Sequence, residues 1–351
     1  MARPGPNRNF PNPMFFAARQ VRPFTVRYRF LLRDILAIRP FAGLVTRRSS
    51  ATFGWFVVDG GKRNRIRWRQ IIILPSSISL HGAVPAQPRA IGAGRVCVAA
   101  DETGRTRLVD LRQSGSTRLV FPRVHRLDAE VILVNTAGGI TGGDSFSLEL
   151  ALAARARLTL TTQAAERAYR AQPNEIGSVD TRIDVASGAR LNWLPQELIL
   201  FERSALRRRL HIDLAPGAEL LMVEPVVFGR AAMGETLRDI FFHDRIRITR
   251  DGTPLYIDAM RLSGDASGQL RRPAIANGAG AMASVVLVHP GAAGRLPRIR
   301  AALPATAGAS LIAPDTLVLR LLAEDSFALR RSLLPLLDHL TDNTLPTSWR
   351  L

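Results

Sequence analysis

One nine-residue pattern occurs twice and governs what this chain can fold into. Ile183-Asp184-Val185-Ala186-Ser187-Gly188-Ala189-Arg190-Leu191 returns 29 residues later as Ile212-Asp213-Leu214-Ala215-Pro216-Gly217-Ala218-Glu219-Leu220. A looser copy, Leu148-Glu149-Leu150-Ala151-Leu152-Ala153-Ala154-Arg155-Ala156-Arg157-Leu158, precedes both. Each copy reads as strand, tight turn and strand, followed by a corner at Thr161–Glu166, Pro195–Glu197 or Glu224–Val227. A unit of this kind cannot bury its apolar faces alone, so successive units must stack. The expected fold is mainly β: a two-sheet, β-helix-like coil of stacked strand-turn-strand units. Short β-like runs upstream, at Arg95–Ala99, Thr106–Leu111, Thr117–Val124, Glu130–Asn135 and Ser145–Leu150, extend the same texture.

The end of the chain is mixed, and a small C-terminal α/β portion with about two helices is expected. Ala283–His289 reads as a buried strand, Arg295–Ala302 as a short helix and Ser310–Leu322 as a strand pair. Asp325–Leu340 reads as a longer helix capped by Asp325 or Ser326, which Pro335 should kink or split. Its leucines give it an apolar face suited to its own sheet or to a partner protein.

Residues 1–85 stand apart. Proline punctuation, arginines and short apolar patches there show neither helical nor alternating periodicity, so the division is a basic extension over 1–85 and one folded domain over 86–351. The extension admits three functional readings: a transit-type leader, an export signal at Arg47-Arg48, or a basic nucleic-acid arm. The blander reading is upstream sequence translated from a start codon placed too early. The net charge of +19 carries the same message, since +13 of it falls within residues 1–80. Lys62 is the only lysine, so the arginine bias reflects coding composition better than selection for phosphate contacts. The single cysteine, Cys97, excludes an internal disulfide and multi-cysteine metal sites, and reads as a small buried hydrophobe. No apolar run approaches the roughly 18 residues of a membrane-spanning helix.

Two groups of residues invite chemistry. Asn135-Thr136-Ala137-Gly138-Gly139-Ile140-Thr141-Gly142-Gly143-Asp144 has glycine pairs that permit close backbone approach. It fits neither phosphate-loop spacing, and Asp144 in place of a lysine would repel phosphate. The second group is carboxylates embedded in apolar sequence: Glu166, Glu197, Glu224 and Asp258. Glu224 has apolar neighbours on both sides, so it must meet an arginine such as Arg230 or Arg261, a hydrogen-bond donor, water or a metal. Lining a wet internal passage is the functional counterpart of an internal ion pair. The six histidines show no metalloprotease spacing and no serine elbow exists. A carboxylate hydrolase built from Asp144, Glu224 and Asp258 is compatible with the residue types but not required by their spacing.

These blocks, in this order, resemble the urease accessory protein UreD (UreH) family. The resemblance rests on the glycine motif ending at Asp144, Thr161-Thr162-Gln163-Ala164-Ala165-Glu166-Arg167-Ala168-Tyr169-Arg170, and Trp193-Leu194-Pro195-Gln196-Glu197 with Phe201. It continues through Gly229-Arg230 with Met233-Gly234-Glu235, Pro254-Leu255 before Asp258, Gly308-Ala309-Ser310, and Leu345-Pro346 with Trp349. It covers roughly residues 89–351. It implies a cytoplasmic, non-enzymatic maturation factor that joins UreF and the GTPase UreG on apo-urease (UreA, UreB and UreC). It further implies an internal route carrying nickel toward the urease active site, with no tightly bound cofactor. Asp144, Glu166, Glu224 and Asp258 are the candidates for lining that route. Oxygen ligands and water suit an ion that must both enter and leave. The alternatives are nucleic-acid binding through the arm and carboxylate-dependent hydrolysis.

Overall fold

The computed structural model describes residues 87–350; the extension over 1–85 lies outside the described residues. Strands β1 (Ile91–Ala100) and β2 (Thr106–Gly115) pair antiparallel, as do β3 (Thr117–Val120) and β4 (Ala129–Asn135). The chain then winds. One coil is β5 (Ser145–Leu152), β6 (Arg157–Thr162) and β7 (Glu166–Ala168), and the next is β8 (Gly177–Val185), β9 (Arg190–Leu194) and β10 (Leu198–Leu200). A third comprises β11 (Ala205–Leu214) and β12 (Glu219–Phe228). After these come β13 (Ile240–Arg250), β14 (Thr253–Gly264) and the short helix α1 (Ala266–Leu270). The chain continues with β15 (Ala281–Val288), α2 (Ala292–Ala302), β16 (Ala307–Ala313), β17 (Thr316–Ala323) and α3 (Ser326–Leu340).

Two sheets result. The first runs β14-β13-β11-β8-β5-β1-β2, and the second runs β16-β17-β15-β12-β9-β6-β4-β3, with β10 beside β12 and β7 beside β10. The repeats stack in register, as their pattern requires. Leu150, Ile183 and Ile212 are successive partners in the first sheet, and Leu158, Leu191 and Leu220 in the second. The joining turns repeat as well: Ala156, Ala189 and Ala218 each donate to the carbonyl three residues back. That turn needs a left-handed residue, supplied by Gly188 (φ 68°) and Gly217 (φ 75°) but by Arg155 (φ 62°) in the looser copy.

Burial explains the two strand textures. In β11, Leu206, Leu210, Ile212 and Leu214 face the space between the sheets, and Arg207 and Arg209 face solvent. The second sheet is covered on both faces, which is why β12 is apolar almost throughout. Leu220 and Met222 join the inter-sheet core, whereas Leu221, Val223 and Val227 join a second core beneath α2 and α3.

Three expectations are corrected. The corner foreseen at Glu224–Val227 is instead continuous strand, because β12 pairs with β15 unbroken from Leu220 to Val227. On its other side β12 changes partner, from β9 at Glu219–Met222 to β10 at Val226–Phe228, and Pro225 lies in the interval. A residue without an N–H fits there at no loss of a ladder bond. Second, α3 is not split at Pro335, which is exposed, while Leu329, Leu333, Leu336, Leu337 and Leu340 are buried against the chain's own sheet. The apolar face is therefore occupied within the chain. Third, Val96 and Val98 take the inward positions of β1 across a bulge, leaving Cys97 half-buried on the outer face.

Candidate functional site

The glycine motif is a packing device around the first corner. Ile140 bridges in parallel to Ala168, and a Cβ on Gly139 would lie 2.2 Å from the Tyr169 ring, so only glycine allows this approach. Asp144 closes the loop: its Oδ2 accepts from the Thr141 amide and its Oδ1 from the Ala90 amide, both at 2.8 Å. Both oxygens are thereby engaged by backbone. Asn135, opening the motif, donates to the Gly139 carbonyl at 3.0 Å and to Glu166 Oε2 at 3.1 Å. Burial raises the Glu166 carboxyl above the usual range, and the Arg167 amide and Asn135 only partly oppose it.

Glu224 is 4% exposed and faces the space between the sheets. It meets neither Arg230 nor Arg261. Arg230 instead holds Glu235 through two bonds, and Arg261 lies on the outward face of β14. The partner is Arg208, whose Nη1 lies 2.6 Å from Glu224 Oε2. The same guanidinium binds Asp244 side-on, Nε to Oδ1 at 2.9 Å and Nη2 to Oδ2 at 2.5 Å. Glu224 Oε1 accepts a 2.6 Å bond from Trp193 Nε1. Burial pushes the Glu224 carboxyl up and Arg208 pulls it back down, while Asp244 adds to the rise. Arg208 stays charged: burial opposes its charge, but Asp244 and Glu224 together outweigh that.

Two cavities meet at Glu224. One, of about 240 Å³, lies between the sheets and is lined by Glu166, Trp193, Gln196, Arg208 and Glu224 among others. The second, of about 10 Å³, holds a single water at most and is lined by Glu224, Asp244, Asp258 and Ser284. Asp258 is half-buried at its far side, where Oδ2 accepts from Arg320 at 2.6 Å, Tyr256 at 3.1 Å and Ser284 at 3.4 Å. Burial, reinforced by Asp258, pushes the Tyr256 hydroxyl to about 12. The expected set thus separates. Glu166, Glu224 and Asp258 fall along one line of cavities, and Asp144 lines neither. Asp144, Glu224 and Asp258 do not form the cluster a carboxylate hydrolase would need. No three His, Cys, Asp or Glu side chains converge on a metal position among the described residues.

Glu197, the remaining embedded carboxylate, has a structural partner. Both its oxygens lie 2.9 Å from Arg330 Nη1, and Arg330 Nη2 donates to the Trp349 carbonyl at 2.7 Å. Arg208 and Asp244 escaped the sequence reading although alternation marks both. Arg208 occupies an inward position between Leu206 and Leu210, and Asp244 one between Phe242 and Ile246. A charged residue at an inward position of a half-buried strand was the available signal.

The fold and site together define a two-sheet β-solenoid with two internal cavities that share Glu224, the larger of them also lined by Arg208. The family model described as UreD urease accessory protein matches residues 91–350. The urease accessory protein UreD of Roseobacter denitrificans is 52% identical over 265 residues, covering 76% of this chain and 96% of that one. Those of Ruegeria pomeroyi and a Ruegeria species are 56% and 54% identical, over 68% and 75% of this chain and 93% and 91% of their own lengths. This chain belongs to the UreD urease accessory protein family.

Proposed function

We propose that the chain is a non-catalytic urease maturation factor that assembles with UreF and the GTPase UreG on apo-urease and conducts nickel toward its active site. The observation that carries this reading is Glu224, which lines both cavities and stands between Glu166 and Asp258. On this reading nickel passes from the 240 Å³ cavity, past Glu224, to Asp258. Carboxylates and water suit such passage, because hard oxygen ligands attract the ion without the retention of a thiolate cage. Asp144 acts at one remove, holding the glycine loop against the corner that carries Glu166.

No helix among the described residues is long and apolar enough to cross a membrane. The cytoplasm is the compartment in which this proposed partnership operates. Co-expression of the full chain with the cognate UreF, followed by size-exclusion chromatography, tests the assembly. One co-eluting complex is expected; separate elution of two soluble proteins would contradict it.

A further inference from the structure

Among the described residues Arg208 is the basic side chain paired with Glu224, and its two carboxylate contacts are unequal. Toward Asp244 it presents two aligned hydrogen bonds, the side-on geometry that guanidinium and carboxylate prefer. Toward Glu224 it presents a single contact, Nη1 at 2.6 Å from Oε2, and that oxygen is buried with no other partner. The other oxygen, Oε1, is held by Trp193. Glu224, which lines the larger cavity, is therefore held at one oxygen by the indole, while its other oxygen has one guanidinium nitrogen against it.

We propose that Arg208 is a resident counter-cation that occupies the divalent-ion position at Glu224 and sets how weakly that site holds its cargo. The inference rests on the reading that nickel passes Glu224. When an ion enters the larger cavity, the guanidinium keeps its bonds to Asp244 and Glu224 Oε2 exchanges it for the metal. The nearby positive charge then repels the bound ion, and Glu224 takes Arg208 back as the ion moves on. Two carboxylates against one arginine leave the site one negative charge in excess, enough to attract a divalent cation. Without Arg208 the same pair would hold it. The resting site also stays satisfied, since a buried carboxylate with no counter-charge is strongly destabilising.

The test is Ni²⁺ binding to the full chain by equilibrium dialysis, with Arg208→Gln, Arg208→Lys and the double variant Arg208→Gln/Glu224→Gln. Arg208→Gln is expected to bind Ni²⁺ about tenfold more tightly than the parent, and the double variant to lose that gain. Arg208→Lys keeps the charge on a single ammonium that cannot span both carboxylates, so it should fold and show a smaller gain. In cells, Arg208→Gln should lower urease nickel content by trapping the ion. Arg208 variants that bind Ni²⁺ no better than the parent, when Glu224→Gln alone lowers urease nickel content, would overturn the counter-cation role and leave the route standing. If Glu224→Gln leaves urease nickel content unchanged, the route fails and this inference falls with it.

Discussion

Trp193 Nε1 donates a 2.6 Å hydrogen bond to Glu224 Oε1 across neighbouring strands, in a site where both residues are nearly inaccessible to water. The indole has two roles at once, since its ring packs in the inter-sheet core and its N–H orients the central carboxylate. Trp193→Phe keeps most of the packing and removes the donor. The expected cost is about 1–3 kcal/mol in chemical denaturation, the penalty of leaving a buried acceptor unpaired. Conservative loss of packing alone would give less than 1 kcal/mol.

A second buried carboxylate supports the end of the chain. Arg330 on α3 holds Glu197, which is 3% exposed, and the Trp349 carbonyl, and its guanidinium stacks 5.3 Å from the Trp349 ring. Arg330→Met removes the counter-charge and both anchors. It should destabilise the fold by about 3–5 kcal/mol at neutral pH, read by urea unfolding. Glu197→Gln in the same background should recover part of the loss, because the uncompensated charge is then gone.

Arg155 stands where the two closer repeats place glycine. A side chain at this left-handed position strains the turn by roughly 1–2 kcal/mol, while glycine adds entropy to the unfolded chain. Arg155→Gly should therefore stabilise the protein by about 0.5–1 kcal/mol. A melting-temperature rise checks this; a fall would mean that Arg155 makes compensating contacts.

Glu166 gives a pH dependence. Burial raises its folded-state carboxyl above the ordinary range, so the folded chain holds that proton more tightly than the unfolded chain. This group therefore lowers stability as pH rises from the ordinary carboxylate range through the folded value. Glu166→Gln removes that loss and can still accept from Asn135. The variant should match the parent below the ordinary carboxylate range and exceed it at neutral pH in parallel thermal melts.

The repeat made the solenoid legible because register, turn and buried alanine recur together, so local and global preferences agree. The glycine motif and the embedded carboxylates were legible for a related reason: each breaks a pattern. Three elements were not. The continuity of β12 depends on β15, some sixty residues later, and no local signal at Pro225 reports a strand that changes partner on one side only. Pro335 shows burial of five leucines outweighing one missing backbone bond. The partner of Glu224 is neither Arg230 nor Arg261 but Arg208 on β11 in the opposite sheet, since inward residues of a two-sheet coil meet across the layers. Alternation in β11 marked Arg208 as inward; only the pairing of the sheets says what it faces.

Urease nickel content reads out whether Glu224 lies on the path of nickel. Urease would be purified from cells expressing the full accessory set with either the parent chain or Glu224→Gln, and nickel measured per active site beside a check that the accessory complex still co-purifies. An intact complex and urease with several-fold less nickel are expected. An intact complex that loads urease as fully as the parent would contradict that role of Glu224.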